Sequence, residues 1–213
     1  MKYLKMLGLA AIAAAGLMAF LGAGTASATV LCETNVTTNC GAGWDVAVGK
    51  TIDFSAEETV KLTGPFGITI ASCTTSTVEG EVTNTGGATA TTVGSIKKLT
   101  FEGCNRPVTT NAATLGTLEI HNSSGTDNGT VTSNDTTVTI HKLAEIGFPE
   151  TCSYLTNNTS IGTLTGKVEA GVVKAATFDI AATIPTETSG CVNGTWEGKY
   201  IYTGTTPFIV GAS

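Results

Sequence analysis

Apolar and polar residues alternate along much of this 213-residue chain, in the pattern of β-strands with one buried face. In the stretch 77–83, Val78 and Val82 would lie on one face, with Glu79 and Glu81 on the other. Successive side chains of a strand point to opposite faces, so a period of two predicts a sheet with one apolar side. The same period recurs at 118–121, 138–141 and 178–184.

Glycine, asparagine and aspartate separate these strands at short intervals. Such residues form the tight turns of antiparallel hairpins, whereas parallel βαβ units need longer helical connections. The one helix signal is a capping box at Ser55–Glu58, and the Gly64-Pro65 break leaves that segment room for a single turn. The pattern therefore predicts an all-β fold, an antiparallel β-sandwich of the jelly-roll or immunoglobulin-like kind.

The first 28 residues have the organisation of a signal peptide. Two lysines give a basic start, residues 6–21 form an apolar run, and residues 26–28 (Ala-Ser-Ala) form a small-residue cleavage site. The run is shorter than the ~20 residues of a membrane span, which disfavours an anchor. We predict cleavage before Thr29, a single secreted β domain over 29–213, and no membrane insertion after cleavage.

The charge balance excludes one large class of function. The chain has 11 basic and 17 acidic residues, for a formal net charge of −6. Signal cleavage would remove two of the basic residues and none of the acidic ones, which leaves −8. Proteins that bind nucleic acids need a basic face, so we expect no nucleic-acid partner. The 41 threonines and 26 glycines suit exposed strand surfaces and tight turns.

All six cysteines follow the predicted cleavage site, and an even number in a secreted chain indicates disulfides. Six cysteines allow many connectivities, and the absence of C-x-x-C spacing disfavours zinc. Cys73 and Cys152 each open a glycine-containing strand–turn–strand stretch that ends in Gly-Cys, which suggests an internally duplicated unit bridged across each copy. We therefore predict sequential bridges that tie the sandwich together: Cys32–Cys40, Cys73–Cys104 and Cys152–Cys191.

Catalytic motifs are missing from the chain. It contains neither the H-E-x-x-H of zinc hydrolases nor the G-x-S-x-G of serine hydrolases, so we predict no enzyme activity and no cofactor. A less favoured alternative is a hydrolase that uses Glu79 and Glu81. These residues are two strand rises apart, about 6.5–7 Å, which overlaps the carboxylate spacing of inverting glycosidases. Alternating glutamates on a solvent-facing strand explain the same pair.

Two sets of side chains offer ligands to metal ions. His121 and His141, the only histidines, would approach each other if their strands pair. Oxygen ligands for calcium are offered by Asp127, Asn128, Asn134 and Asp135. Exposed imidazoles and ordinary turn chemistry explain both sets without an ion, so we predict no metal site.

The late aromatic residues have two interpretations. Trp44, Trp196, Tyr200 and Tyr202 could form a platform on which a sugar stacks. Because Trp196, Tyr200 and Tyr202 share one parity on a single predicted strand, we favour the interpretation that they point into the core.

Three features together resemble a family of uncharacterised secreted, Thr/Gly-rich, six-cysteine β proteins found mainly in actinobacteria. They are the early Cys32–Cys40 pair, the stretch from Gly94 to Cys104, and the stretch from Cys191 to Tyr200. The resemblance covers nearly the whole chain after the signal peptide. It implies secretion and a β fold, and it brings no assigned activity.

These observations favour a non-catalytic structural or interaction protein that is secreted or held at the cell surface. Its partner would be an extracellular or cell-surface molecule that the sequence does not name. The alternative is an adhesin-like module that binds a carbohydrate or another surface ligand. The carboxylate-pair hydrolase is the least favoured function.

Overall fold

The computed structural model describes residues 29–33, 40, 45–87, 90–113, 115–123, 127–170 and 172–211. The predicted signal peptide lies outside these ranges. Within them the protein consists of β-strands and two short 3-10 helices, Pro65–Gly67 and Leu143–Ile146. The strands are β1 (Val30–Cys32), β2 (Thr51–Ala56), β3 (Val60–Thr63), β4 (Thr69–Gly87), β5 (Ala90–Cys104), β6 (Val108–Thr110), β7 (Thr117–Asn122), β8 (Asn128–Asn134), β9 (Thr137–His141), β10 (Thr151–Leu155), β11 (Thr159–Glu169), β12 (Val172–Ile184), β13 (Gly194–Tyr202) and β14 (Ile209–Gly211).

The main sheet closes on itself as an antiparallel barrel. Six strands follow one another in the order β12-β11-β8-β7-β5-β4. Strand β4 then pairs with both β2 and β3, each of these pairs with β13, and β13 pairs with β12. The short strands β2 and β3 share one position, since β2 pairs with residues 77–81 of β4 and β3 with residues 69–73. The barrel therefore has eight strand positions.

The prediction of an all-β antiparallel fold is confirmed, and the prediction of a sandwich is wrong. A sandwich has two facing sheets with free edges, whereas this sheet has no free edge because β12 and β13 pair over eight residues, from Thr177–Ile201 to Ile184–Gly194. Register shifts in the β4–β5 pairing, after Glu79 and after Val82, provide the local bends that help a sheet to curve into a barrel.

The two-stranded sheet β1–β14 covers one end of the barrel. It lies against β4, β5, β8, β11 and β12, and it buries Leu31 and Val210 in the main core, together with Phe208, which directly precedes β14. Gly166 on β11 permits this close approach, because a Cβ atom there would collide with Ile209.

The three-stranded sheet β10-β9-β6, which we call the cap sheet, covers the opposite end. Its inner face carries Val108, Val138, Ile140 and Tyr154, all of which belong to or pack against the barrel core or line its cavity. The outer edge of β10 pairs with the segment that follows β12, through an isolated antiparallel β-bridge between Tyr154 and Thr186. The cap sheet is therefore bound to the barrel by apolar packing and by backbone hydrogen bonds.

The structure contains three disulfides, in the sequential pairing that the sequence predicts: Cys32–Cys40, Cys73–Cys104 and Cys152–Cys191. Cys73 and Cys104 lie opposite each other in the β4–β5 hairpin, whereas Cys152 lies on β10 of the cap sheet. The two bridges therefore differ in what they join: the first closes a barrel hairpin, and the second ties the cap sheet to the β12–β13 loop. A common origin of the β4–β5 and β11–β12 hairpins stays a prediction.

Candidate functional site

The structure keeps the two histidines apart. His121 lies on β7 in the barrel, with its Nε2 3.8 Å from Glu119 Oε2. His141 lies on β9 in the cap sheet, with its Nε2 2.9 Å from the Thr109 hydroxyl. Strand β7 pairs with β5 and β8, and β9 pairs with β10 and β6, so the pairing that a shared site requires does not occur. Over the described ranges no group of three or more His, Cys, Asp or Glu side chains could hold a metal ion.

The proposed calcium ligands are also separated. Asn128 and Asn134 occupy the two ends of β8, about 20 Å apart at six strand rises. Asn134 donates its amide to Glu119, and Asp135 has the left-handed backbone of a turn residue, with φ of 58°. These residues shape turns and strand ends, as the simpler explanation states.

Glu79 and Glu81 lie on the outer face of β4, because Val78 and Val82 of the same strand are buried inside the barrel. Glu81 forms an ion pair with Lys97 at 3.6 Å, and Glu79 lies opposite Lys98 in the register. Both carboxylates therefore face lysines on β5.

The aromatic residues of β13 point inward, as the sequence predicts. Tyr200 is 1% exposed, and its hydroxyl donates a hydrogen bond of 3.0 Å to Ser76 Oγ. Trp196 packs edge to face against Phe101, with the ring centroids 5.0 Å apart, and Tyr202 packs in the same way against Phe208, with the centroids 5.1 Å apart. These residues form no outward platform for a sugar, and Trp44 lies outside the described residues.

Inside the barrel, beneath the cap sheet, lies an apolar cavity of about 100 Å³. Its wall is contributed by barrel strands and by the inner face of the cap sheet, so no single segment of the chain forms it. The side chains that line it include Val78, Leu99, Phe101, Tyr154, Phe178 and Trp196. We call this space the main chamber.

A second, smaller chamber of about 60 Å³ lies towards the β1–β14 end. Val78, Ile96 and Leu118 line both chambers, so the two spaces adjoin across these three side chains. Gly80 and Gly94 line the second chamber from adjacent strands, and each leaves space that a larger inward side chain would fill. The barrel interior is therefore incompletely filled along its length.

The polar side chains of the main-chamber wall are mostly paired with one another. Ser133 Oγ lies 3.1 Å from Thr136 Oγ1 and 2.8 Å from Thr156 Oγ1, and Thr136 donates to the Leu115 carbonyl oxygen. These hydroxyls pair with one another because leaving a buried hydroxyl unpaired would cost about 1–3 kcal/mol. Once paired, they offer few free donors or acceptors to a ligand. The chamber therefore offers a mainly hydrocarbon surface.

A polar cleft lies outside the barrel, beside the cap sheet. It is lined by Asn105, Arg106, Lys142 and Glu145, and Phe101 separates it from the main chamber. Arg106 donates two hydrogen bonds to the carbonyl oxygens at the start of β4, those of Thr69 and Ile70. Part of this guanidinium group therefore supports the fold.

Alkaline titration should show that the tyrosines resist ionisation. Burial raises the pKa of Tyr154 and of Tyr200 to about 12, and burial is also the main cause that raises the pKa of Tyr202. An unfolded tyrosine ionises at roughly pH 10, so the stability that these buried tyrosines contribute should be fully present below that pH and should be lost as the pH rises towards 12. Phenolate absorbance of the purified mature chain should rise at higher pH in the folded state than in urea; coincident titrations would contradict this prediction.

Sequence reasoning missed the cavity, which is the most distinctive site in the structure. The available signal was the pair of inward glycines, Gly80 and Gly94, within otherwise apolar strand faces. A glycine at an inward position removes volume from the core unless a neighbouring side chain fills the space.

Comparisons with known proteins leave the cavity as the main guide to function. No family model, curated protein or solved structure matches this chain. Across the residues that the structure describes, no helix is long and apolar enough to cross a membrane.

Proposed function

We propose that this chain is a secreted, non-catalytic binding protein that holds a small apolar molecule inside its barrel. The observation that carries the proposal is the apolar main chamber, which has hydrocarbon walls and no enclosed catalytic group. Eight-stranded barrels are wide enough either to be filled by side chains or to hold one small ligand. This barrel leaves space for a ligand.

The size of the chamber limits the ligand. A dry apolar cavity of about 150 Å³ binds benzene or xenon. The main chamber has about 100 Å³, and the second chamber of about 60 Å³ lies on the other side of the shared side chains. The proposed ligands are therefore compact molecules of about one ring, since longer lipids would need a larger space.

A route of access follows from the exposure of the wall. Six side chains of the main-chamber wall are only half-buried, whereas Phe178 and Tyr200 are at most 3% exposed; the six are Leu99, Phe101, Leu118, Val138, Ile180 and Trp196. Of these, Val138 belongs to the cap sheet, and Phe101 also lines the outer cleft beside it, so this part of the wall lies where the barrel meets the cap sheet. We place the access route at this junction.

The extracellular location rests on sequence and chemistry. The predicted signal peptide directs the chain to export, and three disulfides persist in oxidising compartments. The proposal keeps the non-catalytic, extracellular function that the sequence favours, and it moves the binding site from the outer surface to the barrel interior. An additional structural role at the cell surface stays a prediction.

Filling the chamber should weaken ligand binding at least tenfold. Val78 is 8% exposed and lines both chambers, so Val78→Phe would place a ring where the ligand lies. We expect benzene to bind the wild-type protein with one-to-one stoichiometry in isothermal titration calorimetry, and to bind Val78→Phe at least tenfold more weakly. A thermal melt establishes that the variant is folded.

The matched control is Val172→Phe, the same change on a side chain that is 53% exposed. It should bind benzene like the wild-type protein. Absence of benzene binding to the wild-type protein, or equal loss of binding in both variants, would contradict a ligand site inside the barrel.

A further inference from the structure

The polar cleft beside the cap sheet brings together two cations that the fold leaves without a counter-charge. Arg106, the single arginine of the chain, and Lys142 both line it. Lysines elsewhere form ion pairs, such as Lys199 with Glu57 at 2.8 Å, but among the described residues neither cation of the cleft forms one. In a chain with an excess of acidic residues, this cleft is a local site of positive charge.

Arg106 retains hydrogen-bond donors that the fold does not use. Both hydrogen bonds that its side chain makes to described residues come from Nη1, which donates to the carbonyl oxygens of Thr69 and Ile70. Its Nε is buried and has no partner among the described residues. Buried polar groups are nearly always hydrogen-bonded, and a guanidinium group binds carboxylates through two parallel N–H donors. An unsatisfied guanidinium at a cleft therefore indicates an anionic ligand.

Asn105 places a second donor beside Arg106. Its Oδ1 accepts a hydrogen bond of 2.8 Å from the Ser72 backbone N–H, and its own backbone N–H donates to the Ser72 carbonyl oxygen at 2.9 Å. These bonds fix the orientation of the amide and leave its Nδ2 group free to donate. The preceding residue, Cys104, is bonded to Cys73. This wall of the cleft is therefore fixed before a ligand arrives, which lowers the entropic cost of binding.

The cap sheet supplies the other wall. The His141 backbone N–H donates to the Pro107 carbonyl oxygen at 3.0 Å, which holds Lys142 beside the Asn105–Arg106 segment. Glu145 also lines the cleft, so its charged side chains carry two positive charges and one negative charge. A singly charged anion neutralises this set, whereas a doubly charged phosphate would exceed it and would be repelled by Glu145.

We propose that the polar cleft binds a small carboxylate, which accepts hydrogen bonds from the free N–H groups of Arg106 and from the Asn105 amide, with Lys142 as a second positive charge. The cleft has about 510 Å³, within the roughly 300–1,000 Å³ of small-molecule sites. This site goes beyond the proposed function, because it lies outside the barrel and takes a charged ligand that the hydrocarbon chamber would exclude.

The test is a nuclear magnetic resonance titration of the purified mature chain, at low ionic strength, with acetate and with its neutral analogue acetamide. Acetate should cause saturable shifts of backbone amide signals from residues 104–108 and 141–146. Acetamide should bind at least about fivefold more weakly, because it forms no charge-assisted hydrogen bonds. Tighter binding of inorganic phosphate than of acetate would overturn the assignment to a carboxylate.

Two single-charge variants should change the acetate affinity in opposite directions. Lys142→Gln should weaken binding about threefold, and Glu145→Gln should strengthen it about twofold, as expected for partly exposed charges. Lys174→Gln is the matched control, because Lys174 is an exposed lysine that does not line the cleft, and it should leave the affinity unchanged. Arg106→Gln should cause the largest loss, about tenfold, since it removes hydrogen bonds to a charged group.

Absence of acetate binding, equal binding of acetate and acetamide, or the same response in Lys142→Gln and Lys174→Gln would overturn the carboxylate site. If Arg106→Gln does not fold, the opposite effects of Lys142→Gln and Glu145→Gln decide, since both side chains are exposed. Benzene binding to Lys142→Gln should equal that of the wild-type protein. Failure of benzene to bind either protein, with acetate binding intact, would overturn the chamber proposal alone.

Discussion

Removing the Cys152–Cys191 disulfide is expected to lower the free energy of unfolding by about 4 kcal/mol, and removing Cys73–Cys104 by about 3.5 kcal/mol. The bridges close loops with sequence separations of 39 and 31 residues, so each one restricts the unfolded chain strongly. Guanidinium unfolding of the paired cysteine-to-alanine variants measures both effects.

The third bridge provides the internal control. Cys32–Cys40 has a separation of 8 residues, and its removal should cost about 2.5 kcal/mol, the smallest of the three losses. A larger loss for Cys32–Cys40 than for the two long bridges would contradict the loop-closure account of stability. Because Cys152 holds the cap sheet, its variant should also admit ligands faster, as the access route at the cap–barrel junction requires.

Phe178→Ala is expected to destabilise the barrel by about 3–5 kcal/mol. Phe178 is 3% exposed and packs between two aromatic rings. Its ring centroid lies 6.1 Å from that of Phe54 and 6.2 Å from that of Tyr200. The substitution removes these contacts and leaves a void, because surrounding side chains relax only partly. Chemical unfolding measures the loss. Phe178 also lines the main chamber, so a folded variant should bind rings larger than benzene.

The control for this change is Phe66→Ala, in the short turn between β3 and β4. Phe66 is fully exposed, so its removal should change the free energy of unfolding by less than about 0.5 kcal/mol. Equal losses for Phe66→Ala and Phe178→Ala would contradict the placement of Phe178 in the core.

The strand content of the fold could be read from local pattern, and the closure of the sheet could not. The alternation over 178–184 correctly placed Phe178 inside, because side-chain direction along a strand depends only on position. Closure depends instead on β12 pairing with β13 and on β2 and β3 sharing one position beside β4. A strand in a sandwich and a strand in a barrel have the same alternation, so the local pattern does not distinguish the two folds.

The candidate site was hidden for a related reason. A cavity is volume that many distant residues leave unfilled, and no short stretch of sequence encodes it. The inward direction of Tyr200 could be predicted from parity, but the position of Tyr154 facing the barrel from a separate cap sheet could not. The separation of His121 and His141 likewise depends on which strands pair, which local sequence does not specify.

A crystal structure of the purified protein soaked with benzene tests the central claim most directly. The account predicts a closed eight-position barrel with density for one ring in the main chamber, in contact with Val78, Tyr154 and Trp196. A barrel interior filled by its own side chains, with benzene absent or bound only on the outer surface, would contradict it.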